Sequence, residues 1–261
     1  MGLTSVRIIL VEPAGPLNVG AVARVMKNMG LHQLWLVNPH CNPLDQQARQ
    51  MAVHGQDILT TAQQVATLPD ALVGCQRAIA TTARARNLPI ELEPPRLALP
   101  WLLEPGVNSA LIFGPEDRGL SNTELNYAQR FVCIPSSPEY SVLNLAQSVA
   151  ICCYELYQMA STTPPPQLQF PVSLQDSPVS SAPLDVLEGY YQHLEAVLLK
   201  IGYLYPHTAG ARMEKFRRLL HRATPTATEV AMLRGILRQT EWALQFLPKP
   251  GVGDGSEPKE S

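Results

Sequence analysis

The sequence has no C-x-x-C pair, no His or Cys at metal-ligand spacing, no excess of positive charge and no apolar run of membrane-spanning length. Each absence removes a class of protein. Five cysteines (Cys41, Cys75, Cys133, Cys152 and Cys153) are odd in number, and two of them are adjacent. That pattern implies reduced thiols in a cytoplasmic setting, with no zinc site. Six histidines are scattered along the chain, so no metal is expected. A formal charge of −2 rules out a globally basic nucleic-acid binder and confines any such site to a local patch. The opening run Val6–Val11 is too short for a signal sequence and is interrupted by Arg7. No internal repeat is visible.

What is present suits a folded α/β protein. Hydrophobic residues make up 46% of 261, ample for a packed core. Short apolar runs (Val6–Val11, Leu34–Val37, Arg77–Ala80, Leu111–Phe113 and Phe131–Ile134) alternate with helical patterns, which predicts a parallel sheet. A first helix is expected near Val19–Met29, where Val22, Val25, Met26 and Met29 share a face and Gly30 stops the run. A second is expected from Ser141, acting as N-cap, to about Met159. The boundaries follow as 1–160 for the α/β domain, 161–183 for a Pro-rich linker, 184–247 for a helical extension and 248–261 for a disordered tail. In the extension, Leu184, Leu187, Tyr191, Leu194, Leu198 and Ile201 mark one amphipathic helix. Val230, Leu233, Leu237 and Leu244 mark another, opened by a Thr226/Glu229 capping box. So small an extension is expected to pack on the main domain or on a second subunit.

Three segments carry chemistry. The turn after the first strand, Gly15-Pro16-Leu17-Asn18-Val19-Gly20, lacks the Lys and Ser/Thr of a P-loop, and G-x-G-x-x-G is absent. What remains is Asn18-x-Gly20-x-x-x-Arg24, with Arg24 on the polar side of its helix. The second segment is Phe113-Gly114-x-Glu116-x-x-Gly119-Leu120, a Gly-rich turn at the carboxyl end of a strand, where open α/β sheets bind ligands. The third is Ile134-Pro135 with Ser141-x-Leu143-Asn144-Leu145-Ala146. Taken singly, these read as a solvated arginine, a plain turn and a helix cap.

In combination and in this order they resemble the three motifs of the SPOUT superfamily, in its TrmH-like branch of RNA ribose methyltransferases. The chain is similar in particular to the TrmJ group, the tRNA (cytidine/uridine-2′-O)-methyltransferases. That likeness extends through Leu34–Pro39, Thr81–Arg84, Phe216–Ala223 and Glu229–Leu237. The resemblance implies a deep C-terminal trefoil knot that binds S-adenosyl-L-methionine (AdoMet), carrying cofactor contacts to Thr81, Thr82, Ala83, Gly114, Ile134, Ser141, Val142 and Leu143. Val142 departs from the second Ser usual in that motif.

The resemblance further implies 2′-O-methylation of tRNA at position 32 of the anticodon loop, a cytoplasmic homodimer whose active sites draw on both subunits, and no membrane or DNA partner. Arg24 matches the residue assigned to activation of the 2′-OH, with Asn18, Ser141 and Asn144 organising the site. A free guanidinium titrates at about 12.5 or above, so chemistry favours an electrostatic role over proton abstraction. Arg84 and Arg86, with Arg217, Arg218 and Arg222, are candidate RNA contacts because phosphate binding needs grouped cations. Two other readings stay open: a ribosomal-RNA ribose methyltransferase, and a knotted RNA-binding protein without catalysis.

Overall fold

The computed structural model describes residues 2–83, 91–161 and 181–246. Arg84, Arg86, the expected tail and most of the expected linker lie outside the described residues. In chain order the elements are β1 (Val6–Val11), α1 (Pro16–Asn28), β2 (Gln33–Val37), α2 (Gln46–Ala52), α3 (Gln56–Thr61), β3 (Gln63–Val65), α4 (Leu68–Leu72) and β4 (Arg77–Thr81). There follow β5 (Leu92–Glu93), α5 (Pro95–Ala98), β6 (Ser109–Phe113), α6 (Asn122–Leu125), β7 (Arg130–Val132), α7 (Leu145–Ser161), α8 (Leu184–Lys200), α9 (Ala209–Ala223) and α10 (Ala227–Leu244).

The strands form one seven-stranded sheet in the order β3-β2-β1-β6-β4-β7-β5. Every pairing is parallel, as the alternation of strand and helix patterns requires. All five residues of β6 are buried, the signature of a central strand covered on both faces. Side chains alternate across the sheet, so β1 feeds two cores. Val6, Ile8 and Leu10 pack with Val19, Val22 and Met26 of α1 and with Val149, Cys152 and Leu156 of α7. Ile9 and Val11 face the opposite cluster with Leu72, Ala80, Ile112, Leu187, Tyr191 and Val230. The C-terminal helices therefore share the second core of the sheet, and Leu184 N–H donates to Cys75 O at 2.8 Å where α8 begins.

Register decides where the ends of the strands meet. Leu10 pairs with Phe113, Ala80 with Ile112 and Thr81 with Val132, so the loops leaving β1, β4, β6 and β7 emerge together at the carboxyl edge. Proline at the start of α1 suits the first helical turn, and Gly30 at φ +68 supplies the left-handed residue that ends it. The helix predicted to open at Ser141 opens instead at Leu145. Asn144 Oδ1 accepts from Ala146 N at 2.9 Å and Gln147 N at 3.4 Å, so Asn144 does the capping expected of Ser141. Among the described residues no helix is long and apolar enough to cross a membrane.

Candidate active site

The loops at the carboxyl edge enclose a cleft of about 300 Å³. Thr81, Thr82, Ala83, Gly114, Ile134, Ser141, Val142 and Leu143 all line it. The loop after β4 is fixed at its root: Thr81 Oγ1 donates to Ile112 O at 3.0 Å and Thr82 N–H to Val132 O at 2.9 Å. Gly114 is glycine because the chain returns against it. A Cβ there would lie 2.3 Å from Leu120 N and 2.4 Å from Gly119 C, closer than any side-chain carbon is tolerated. Val142 is 57% exposed and Ser141 is also exposed at the cleft wall.

Glu116, in the second motif, ties the three motifs together. Its Oε1 accepts from Asn18 Nδ2 at 2.7 Å and from Gly15 N at 3.3 Å, and its Oε2 accepts from Ala14 N at 3.1 Å. Asn18 Oδ1 in turn accepts from Asn144 Nδ2 at 3.0 Å, and Asn144 caps α7 through its own oxygen. Glu116, Asn18, Asn144 and the α7 terminus thus form one continuous chain of hydrogen bonds. Partial burial pushes the Glu116 carboxyl up, but the donors from Asn18, Ala14 and Gly15 outweigh it and hold the group below its ordinary value. Beside it in the cleft wall, Arg118 pairs with Glu12 at 2.6 Å and Glu124 at 2.9 Å, which raises its pKa further. Sequence pattern alone does not mark Glu116 as a site residue, since its partner Asn18 lies 98 residues away. A lone carboxylate in a Gly-rich turn was the available signal.

Arg24 is exposed on α1, six residues beyond Asn18 and therefore ~9 Å further along the helix axis. It does not line its own chain's cleft. Its backbone is held closely: a Cβ on Gly55 would come within 2.7 Å of Ala23 O and 3.0 Å of Arg24 N. The approach follows a turn in which Val53 has φ 51, an unfavourable value for a β-branched residue. Gly20 of the first motif has a packing role, since a Cβ would sit 2.2 Å from Ala48 O in α2.

The expected RNA contacts divide. Arg217 is turned inward: its guanidinium makes two hydrogen bonds to Glu188, at 2.5 and 2.8 Å, and lies 4.5 Å over Tyr191. With 17% of its side chain exposed, it is a structural ion pair of the C-terminal core and departs from the expectation of RNA contact. Arg218 is half-buried at 3.9 Å from Glu214, whereas Arg222 is exposed.

The chain matches the SpoU rRNA Methylase family over residues 5–154 and the C-terminal domain of the tRNA methyltransferase TrmJ over residues 185–248. It is 43% identical over 241 residues to the tRNA (cytidine/uridine-2'-O-)-methyltransferase TrmJ of Klebsiella pneumoniae, covering 92% of this chain and 97% of that one. Against the protein of the same name from Salmonella typhimurium the identity is 41% over 242 residues, with the same coverage. The crystal structure of TrmJ from Z. mobilis ZM4 superposes with a TM-score of 0.78 at 31% identity, over 90% of this chain and 98% of that one. By these matches, and by the three motifs that Glu116 joins, the chain belongs to the SpoU methylase family, in its TrmJ group.

Proposed function

We propose that this chain is an AdoMet-dependent tRNA 2′-O-methyltransferase acting on the ribose of cytidine or uridine at position 32 of the anticodon loop. The observation that carries the reading is the hydrogen-bonded chain from Glu116 through Asn18 and Asn144 to α7, set beside a cleft lined by all eight expected cofactor positions. The cleft suits the cofactor in its chemistry. Ile134, Leu143 and Leu145 would offer apolar surface to a flat ring, Thr82 and Ser141 hydroxyls, and Glu116 and Asp117 negative charge in the cleft wall that suits a cationic cofactor. When bound, AdoMet supplies an electrophilic methyl group.

The chain's own residues then act chiefly by position. A displacement at methyl carbon needs the acceptor oxygen in line, so holding the ribose supplies much of the rate. Asn18 and Asn144 have fixed orientations because each amide is engaged on both sides, and they hold the acceptor sugar at the cleft mouth. Arg24 is exposed and without an ion-pair partner among the described residues, which leaves its guanidinium available to an RNA phosphate and to negative charge developing on the 2′-oxygen. Its absence from its own chain's cleft favours a homodimer in which Arg24 serves the neighbouring cleft. The same reading includes a trefoil knot in the chain that lines the cleft and a cytoplasmic location. The close return of Leu120 over Gly114 supports a tightly wound cleft wall.

The test incubates purified protein with methyl-labelled AdoMet and, in parallel, unmodified tRNA and rRNA, then maps the labelled nucleosides. Label in the anticodon-loop ribose of tRNA is the expected result. Label in rRNA alone would keep the reaction and overturn the substrate, and no transfer to either would overturn the enzyme.

A further inference from the structure

The turn between α8 and α9, residues 201–208, carries aromatic side chains that take no part in the cleft. Tyr203 and Tyr205 are 53% and 55% exposed, and His207 is exposed as well. Leu204 between them is 2% exposed and anchors the turn in the C-terminal core, so the neighbouring rings are held outward. The Tyr205 and His207 rings lie nearly parallel, with centroids 6.0 Å apart and planes inclined by 23°. Arg212 is drawn over Tyr203 at 5.7 Å and donates to Tyr203 O at 2.9 Å.

From this turn α9 runs on with Arg212, Lys215, Leu219 and Arg222 at helical spacing, Arg212 at the edge of the face that buries Ala209 and Met213 and the other three turned away from Met213. Arg212, Lys215 and Arg222 are exposed and form no ion pair among the described residues. The one acidic residue of the helix, Glu214, is directed to Arg218. A cationic stripe thus leads into a ledge of two near-parallel rings. Phosphates track the first kind of surface, and unpaired bases stack on the second, because every base has a π-face.

We propose that the α9 stripe and the Tyr205–His207 ledge form a second RNA contact, in which the ledge stacks an unpaired base of the tRNA whose ribose occupies the cleft. The proposal rests on the substrate reading above. It assigns affinity-bearing contacts to residues that do not line the cleft, so they act on tRNA binding and leave the chemical step alone.

The test uses the full-length protein. Tyr205→Ala, Tyr205→Phe, His207→Ala and Arg222→Ala are compared for tRNA Kd by filter binding, for KM and kcat in methyl transfer, and for mass by sedimentation. Loss of one base–aromatic stack raises Kd and KM about 5- to 150-fold. Tyr205→Ala is expected to fall in that range with kcat held within about twofold, and Tyr205→Phe to restore affinity because the ring is retained. Arg222→Ala should lower the slope of log Kd against log salt by about 1. Unchanged Kd and KM in Tyr205→Ala, with wild type active on tRNA, would overturn the ledge while leaving the substrate reading intact. A change of mass with unchanged KM would overturn it in favour of a subunit contact. A wild type that neither binds nor methylates tRNA would overturn the substrate reading and this proposal together.

Discussion

Replacing Glu116 with glutamine tests the hydrogen-bonded chain at its origin. The carboxylate takes three donors, two on Oε1 and one on Oε2. Glutamine keeps one oxygen, which can still face Asn18 and Gly15, but its amide nitrogen then confronts the Ala14 N–H, donor against donor. Bonds to a charged acceptor are worth about 1.5–3 kcal/mol and neutral ones about 0.5–1.5 kcal/mol. Losing the charge and one bond at this partly exposed site therefore costs about 2 kcal/mol, the low end of that sum. If Asn18 and Asn144 lose their fixed orientation by that amount, kcat for methyl transfer falls about 30-fold. The melting temperature falls by about 4–8 °C. The folded carboxyl titrates below its ordinary value, so its contribution is fully present above about pH 4.3 and is lost as pH falls through the folded pKa. Variant and wild type should accordingly differ most at neutral pH and converge in acid. Single-turnover transfer and calorimetry measure the two effects. A Glu116→Gln enzyme with kcat within twofold of wild type would show that the Glu116 carboxylate does not orient Asn18 and Asn144 for methyl transfer.

Other substitutions probe separate parts of the structure. Asn18→Asp should be more damaging than Asn18→Ala, because it sets a second carboxylate 2.7 Å from Glu116, and the ratio of the two turnover rates checks this. Gly20→Ala drives a Cβ into Ala48 O and should destabilise by about 1–3 kcal/mol or more in denaturant titration, separating α1 from α2. Removing Glu188 strands a largely buried Arg217 and should cost about 3–5 kcal/mol, whereas Glu188→Leu with Arg217→Met should recover most of it without lowering tRNA affinity. Burial beside the charge of Arg217 pushes His221 down to about 4 from an ordinary 6.5. The unfolded chain therefore takes up the proton first, and stability present above pH 6.5 is lost between about 6.5 and 4, by at most about 3 kcal/mol. His221→Gln should flatten that acid limb of the stability curve.

Sheet and motifs were legible in the sequence to different depths. Central strands are readable because both of their faces are buried, which leaves unbroken apolar runs such as Ile8–Val11 in β1 and Ala110–Phe113 in β6. Edge strands β3 and β5 were not: they have three and two residues, and Gln63-Gln64 is exposed. Helices α2 to α6 have four to seven residues, too few turns for periodicity to accumulate. The helical spacing of Val142 with Ala146 extends one turn before the true start at Leu145, which makes Ser141 look like the cap that Asn144 supplies. Either residue type caps well, and only the closed hydrogen bonds distinguish them. Glu116 required the fold itself, since its partner Asn18 lies 98 residues away. Grouped cations in α9 gave Arg217 and Arg222 the same appearance, although Glu188 draws the former into the core.

In the function proposed above, cleft, hydrogen-bonded chain and Arg24 make one methyl-transfer centre shared between two subunits. Mixing Arg24→Ala chains with Glu116→Ala chains checks that sharing, after subunit exchange and with tRNA methylation as the readout. Each variant alone should be nearly inactive. Random pairing makes half the dimers mixed, each with one intact centre, so the mixture should regain about a quarter of wild-type activity. A mixture no more active than either variant alone would contradict the shared centre.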